Sequence, residues 1–125
     1  MESHDNLMSD IMDEMDPRVL DFIREHVTSF ARWDTIRFLS ENPHTCDTAE
    51  HLAMYVGRAP HLIVAEAKEM AEQGILNTEV TGGHTVYSLT DNRELRQIIA
   101  TIVESARDRT FRMKLVYHIL RAGGQ

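Results

Sequence analysis

Apolar positions recur at helical spacing along most of the chain, broken by a few strong punctuation marks. Asp16-Pro17 reads as a helix start, with Asp as N-cap and Pro at the first helical position. Val19, Leu20, Phe22, Ile23 and Val27 then form an apolar stripe to about Ser29. A second helix is predicted from about Trp33 to Ser40, burying Ile36, Phe38 and Leu39, and Asn42-Pro43 stops it. Thr45-Cys46-Asp47-Thr48 is a further cap region, and a short helix through Ala49, Leu52, Ala53 and Val56 ends at Gly57. Arg58-Ala59-Pro60 restarts the chain. The next helix runs from Pro60 to about Gln73, with Ile63, Ala67 and Met70 inward and Gly74 as its terminator.

The period then changes. Ile75–Val80 and His84–Leu89 are strand-like, and Gly82-Gly83 between them makes a hairpin. Thr90-Asp91-Asn92-Arg93-Glu94 reads as a new cap, with Glu94 three residues after Asp91. From there to Arg121 no Gly or Pro intervenes. Leu95, Ile99, Ile102, Ala106, Met113, Val116 and Leu120 form a heptad-like seam along about 45 Å of possible helix, at ~1.5 Å per residue. Either the seam breaks near Arg107-Asp108-Arg109 and folds back, or it pairs with a second chain. So long a helix has too little of its own chain to cover it, which favours pairing.

Length and composition narrow the class. The chain has 125 residues, 42 % of them hydrophobic, enough for one domain with its own core. No apolar run approaches the ~20 residues of a membrane span, and the acidic start MESHDNLMSD has no secretory pattern. A single cysteine, Cys46, excludes an internal disulfide and fits the reducing cytoplasm. The net charge of −7 argues against non-specific, charge-driven nucleic-acid binding. That charge is uneven: residues 1–16 carry acids and no Lys or Arg, whereas residues 91–125 are locally basic. Leu7, Met8, Ile11, Met12 and Met15 would allow the acidic segment a short amphipathic helix, the alternative being a frayed terminus. The expected organisation is an acidic segment over 1–16, a main unit with a leading helix over 17–91, and C-terminal dimerisation helices over 92–125.

The run DTAEHLAMYVGRAPHLIVAEAKEMAEQGIL followed by NTEVTGGHTVYSLTD carries a recognisable layout. Helix, Gly turn, helix, Gly and hairpin follow one another, and the spacing from Gly57 to Gly74 admits one helix of about four turns. Over roughly residues 31–91 this resembles the winged helix-turn-helix transcriptional regulators, close in layout to ArsR-like and MarR-like repressors. The resemblance implies a mostly α fold with a small β-hairpin wing, flanked by dimerisation helices. It implies a cytoplasmic homodimer on double-stranded DNA, with the third helix of the motif in the major groove. The DNA-contacting positions would be Arg58, His61, Leu62, Ala65, Lys68 and His84, and the dimer interface would be the seam from Leu95 to Leu120.

The residues themselves depart from that pattern. With Ile63, Ala67 and Met70 inward, Glu66 and Glu69 face outward beside His61, Leu62 and Ala65, and two carboxylates there would meet phosphates. The wing tip, Thr81-Gly82-Gly83-His84-Thr85, has no Arg or Lys. A protein–protein interaction module without DNA binding therefore stands as the alternative, meeting its partner through Leu62, Val64, Ala65, Glu66 and Glu69.

Other chemistry finds little support. His44, Cys46 and His51 are close in sequence, but metal-sensing ArsR relatives carry two cysteines where this chain has His51-Leu52-Ala53-Met54, and His118 stands alone in the last helix. No metal or cofactor is expected, and Cys46 is expected to pack as a small apolar residue. There is no phosphate loop, nucleophile elbow or zinc-protease motif, so no enzyme is expected. Trp33 is expected to close the core beside Phe30 and Phe38.

Overall fold

The computed structural model describes residues 15–123, so Leu7, Met8, Ile11 and Met12 lie outside the described residues. Among the described residues, six helices and one hairpin follow in the order α1 (Pro17–His26), α2 (Phe30–Glu41), α3 (Ala49–Val56), α4 (Pro60–Glu72), β1 (Leu76–Thr81), β2 (His84–Leu89), α5 (Arg93–Ser105) and α6 (Arg109–Arg121). This is a winged helix-turn-helix fold.

Local chemistry sets the boundaries. Asp16 caps α1 by accepting from the Arg18 amide at 2.9 Å. Ser29 caps α2, accepting from the Arg32 amide at 3.0 Å, and so starts that helix three residues before the sequence pattern suggests. Thr48 caps α3. Only Gly57, Arg58 and Ala59 separate α3 from α4; Gly57 sits at φ +72°, and the amides of Gly57 and Arg58 both return to the Ala53 carbonyl. In the hairpin, Leu76 pairs with Leu89 and Thr81 with His84. Gly82 and Gly83 span the turn with φ of +59° and +80°, the left-handed pair that a two-residue hairpin loop requires.

Three features differ from the sequence expectation. Asp47 is more than part of a cap: it exchanges two backbone hydrogen bonds with Tyr87 (2.7 and 3.1 Å) and adds a one-residue bridge to the wing. Cys46, next to the bridge, is exposed and does not pack as the small apolar residue expected. Before α5 the cap is Asn92, not Asp91; Asp91 accepts from Asn77 at 3.0 Å, and Glu94 pairs with Arg18 at 3.0 Å.

The third difference concerns the seam. The helix breaks at Ala106-Arg107-Asp108, where Asp108 caps α6 by accepting from the Phe111 amide at 2.9 Å. Ile99, Ile102 and Ala106 are buried in the chain's own core, with Leu95 packed against it, so this half of the seam is already covered from within. Burying each isoleucine is worth about 1.5–3 kcal/mol. The break resets the phase of α6, which buries Phe111, Leu115 and Ile119 instead and leaves Met113, Val116 and Leu120 exposed.

The core is built round α2, which packs on α3, α4, α5 and β2. Trp33, Ile36 and Leu39 are buried there, with Phe30 and Phe38 partly buried beside them. Among the described residues no helix is long and apolar enough to cross a membrane.

Candidate nucleic-acid interface

The third helix of the motif is α4. Ile63, Ala67 and Met70 are all fully buried, and this inward row fixes what the rest of the helix presents. Positions three and four apart share a face. His61, Val64, Ala65 and Lys68 are exposed on the opposite side, with Glu72 at its C-terminal end. Leu62 differs from expectation: it is half-buried and packs against the core.

Arg58, in the turn before α4, is half-buried as well. Its Nε donates to Asp34 Oδ2 at 2.5 Å, and its guanidinium lies 6.0 Å from the centre of the Phe30 ring. The residue therefore locks the turn onto α2. His84, at the wing tip, is exposed beside the Gly82-Gly83 turn.

The two carboxylates expected to face outward are held along the flank of α4. Arg32 of α2 is only 1 % exposed. Its Nε donates to Glu66 Oε2 at 2.7 Å, its Nη2 lies 2.9 Å from Glu69 Oε1, and its Nη1 donates to Gln73 Oε1 at 2.9 Å. Nη1 also reaches the His26 carbonyl at 3.4 Å. One buried guanidinium thus gathers two side chains from successive turns of α4 and a third from its C-cap. Next to it, burial and then the Arg32 charge hold His26 below the usual imidazole range, and His26 Nδ1 has no hydrogen-bond partner among the described residues.

Arg32 is the residue that sequence reasoning missed. The signal was its position four residues before Ile36, on the inward stripe of α2, where a charged side chain needs partners from another element.

The start of α3 is held by a second cluster. The Asp47 carboxylate accepts from Tyr55 Oη at 2.6 Å and lies 2.7 Å from His51 Nδ1. These contacts, led by the tyrosine, hold Asp47 below the usual carboxylate range and push Tyr55 up. Together with the Asp47–Tyr87 bridge, they join α3 to the wing. Among the described residues no group of three or more His, Cys, Asp or Glu side chains is placed to hold a metal ion.

No protein-family model matches the chain, and no curated protein matches it in sequence. Among solved structures, the fold is similar to that of AntR, an antimony-specific transcriptional repressor. The TM-score is 0.52 at 18 % identity, over 78 % of this chain and 95 % of that one.

Proposed function

We propose that the chain is a DNA-binding transcriptional regulator that acts as a homodimer, with α4 entering the major groove. The observation that carries this reading is the outer row of α4, where His61, Val64, Ala65 and Lys68 stand clear of the fold and Glu66 and Glu69 are drawn aside to Arg32, leaving Glu72 at the C-terminal end as the carboxylate on that side. A winged helix with such a row matches the docking mode in which the third helix lies in the groove. The likeness to a transcriptional repressor supports the same reading.

His61, Ala65 and Lys68 are the base-reading and groove-lining positions in this proposal. Lys68 supplies a phosphate or base contact, and His84 reaches the backbone from the wing tip. Arg58 acts indirectly, by fixing the turn that aims α4. Two chains pair through the exposed stripe Met113, Val116 and Leu120 of α6, holding the two α4 helices ~34 Å apart on successive major grooves. The main unit is residues 17–91, the C-terminal segment 92–125 supplies the pairing surface through α6, and the site of action is the cytoplasm.

The protein-interaction alternative needs an acidic–apolar surface made of Leu62, Val64, Ala65, Glu66 and Glu69. Leu62 packs on the core, and both glutamates are paired with Arg32, which favours the DNA reading.

The test is binding to mixed genomic duplex DNA at about 50 and about 200 mM salt. Binding that weakens steeply with salt is expected. Lys68→Ala should flatten that salt dependence by roughly one phosphate's worth. Absence of binding at both concentrations would overturn the proposal in favour of a protein partner.

A further inference from the structure

The sequence sets a problem that the fold answers. A chain of net charge −7 whose recognition helix carries Glu66, Glu69 and Glu72 against a single lysine is poorly suited to approach a phosphate backbone. Arg32 lies on the far flank of that helix, inside the protein. We infer that Arg32 is a positioning residue for DNA binding: its buried guanidinium holds Glu66 and Glu69 off the face of α4 that meets DNA. This rests on the DNA-binding reading above and assigns it a further residue.

Geometry carries the inference. Glu66 and Glu69 occupy successive turns of one edge of α4, and both reach back to the same guanidinium at 2.7 and 2.9 Å. Gln73 continues the row one turn further, at 2.9 Å from Nη1. The Glu69 side chain is still 58 % exposed, so without its partner it has open solvent to swing into. Glu66, at 23 %, has less freedom, but its release would leave a second unpaired carboxylate at the same edge.

Energetics points the same way. A buried ion cluster is weak evidence for stability, since well-packed apolar residues of similar volume often serve as well. What the apolar alternative cannot do is fix where two carboxylates point. An arginine fork does this through several directed donors at once. A unit charge held about 8 Å from a phosphate in water shifts binding by a factor of roughly two to three. Two released carboxylates facing several phosphates therefore weaken binding on the order of tenfold at low salt.

The experiment uses the full chain and mixed genomic duplex DNA. Arg32→Met should bind about tenfold more weakly than wild type at about 50 mM salt, and the gap should narrow at about 200 mM as the repulsion is screened. The triple variant Arg32→Met/Glu66→Gln/Glu69→Gln should return to within about threefold of wild type, because the charges that needed holding are gone. A purely structural role for Arg32 predicts no such rescue and no narrowing with salt. Glu69→Gln in the wild-type background keeps the Arg32–Glu66 pair and serves if Arg32→Met does not fold. It should change affinity by no more than about twofold, because that carboxylate is already held aside.

A tenfold gain from Glu69→Gln, an undiminished Arg32→Met variant, or an unrescued triple variant would each overturn the inference. Wild-type protein that binds no DNA at either salt concentration removes the underlying reading instead. Wild-type binding with any of the three adverse results removes only the role of Arg32.

Discussion

His118 Nε2 donates to the backbone carbonyl of Ile23 across 2.9 Å, and this contact pins the last helix to the first. The carbonyl belongs to the last turn of α1 and already accepts from the Val27 amide at 3.1 Å. A ring nitrogen from the other end of the chain is a second donor to the same oxygen, which has two lone pairs. Phe111, Leu115 and Ile119 bring the ring there by burying the same side of α6. His118→Phe keeps the aromatic bulk but removes the donor. It should lower unfolding stability by about 1 kcal/mol, read as a lower urea midpoint at unchanged slope. An unchanged midpoint would show that the contact contributes nothing.

Acid should weaken the same region. Burial is the largest cause holding both His26 and His118 below the ordinary imidazole range. Arg32 adds to the effect at His26. At His118 the carbonyls of Ile23 and Val27 oppose it and Arg24 reinforces it. The unfolded imidazoles titrate near pH ~6.5, so below that value the unfolded chain binds more protons than the native one. The stabilisation is complete above about pH 6.5 and is lost as pH falls through the depressed native values. Asp16 and Asp47, whose carboxyls are held low, add their own loss once pH falls into the ordinary carboxylate range near pH ~4 and below. Urea midpoints should be level from about pH 8 to 7 and decline toward pH 5.5, and His26→Gln/His118→Gln should flatten that decline. A wild-type midpoint that holds constant to about pH 5.5 would contradict this.

Gly57 tests the tight turn by itself. Its φ of +72° lies in the left-handed region, yet a Cβ built there meets nothing within 4 Å. Gly57→Ala therefore adds backbone strain without a clash, and should cost about 1 kcal/mol. Gly57→Asn should cost less, because Asn tolerates this conformation better. Equal losses from the two variants would mean that something other than backbone conformation makes glycine necessary there.

The sequence was most readable where local chemistry decides the outcome. Asp16-Pro17, Thr48, Gly57 and the Gly82-Gly83 pair act on their own neighbours, and each lies where the pattern placed it. The inward row Ile63, Ala67 and Met70 was equally plain, because it is the one apolar row that runs the length of α4, whereas Leu62, Val64 and Ala65 lie only in its first half. Legibility failed where two local solutions competed. Asp91 and Asn92 could each cap α5, and tertiary partners decide between them: Asn77 takes Asp91, and Arg18 takes Glu94. In α6 two apolar stripes coexist, and the cap at Asp108 sets which one turns inward. At the candidate interface, Glu66 and Glu69 are flank residues on any helical wheel. Whether they face solvent or protein depends on Arg32, 34 residues before Glu66, and no local rule reports that.

The two stripes of α6 make separable predictions. Phe111, Leu115 and Ile119 face inward and hold the helix on the chain's own body. Met113 and Leu120, each 60 % exposed, lie on the other side with Val116 between them. Leu115→Ala should therefore cost about 2–5 kcal/mol as a core truncation, at any protein concentration. Leu120→Glu and Met113→Glu should leave the stability of the single chain nearly unchanged, because surface substitutions away from special features fall within about 0.5 kcal/mol. In the proposed homodimer they place a carboxylate at a desolvated contact with no partner, which disfavours pairing. Sedimentation should show wild type as a concentration-dependent dimer and Leu120→Glu as a monomer, with DNA affinity falling alongside because the two α4 helices are no longer coupled. A Leu120→Glu chain that sediments and binds as wild type does would place the pairing surface elsewhere on the molecule.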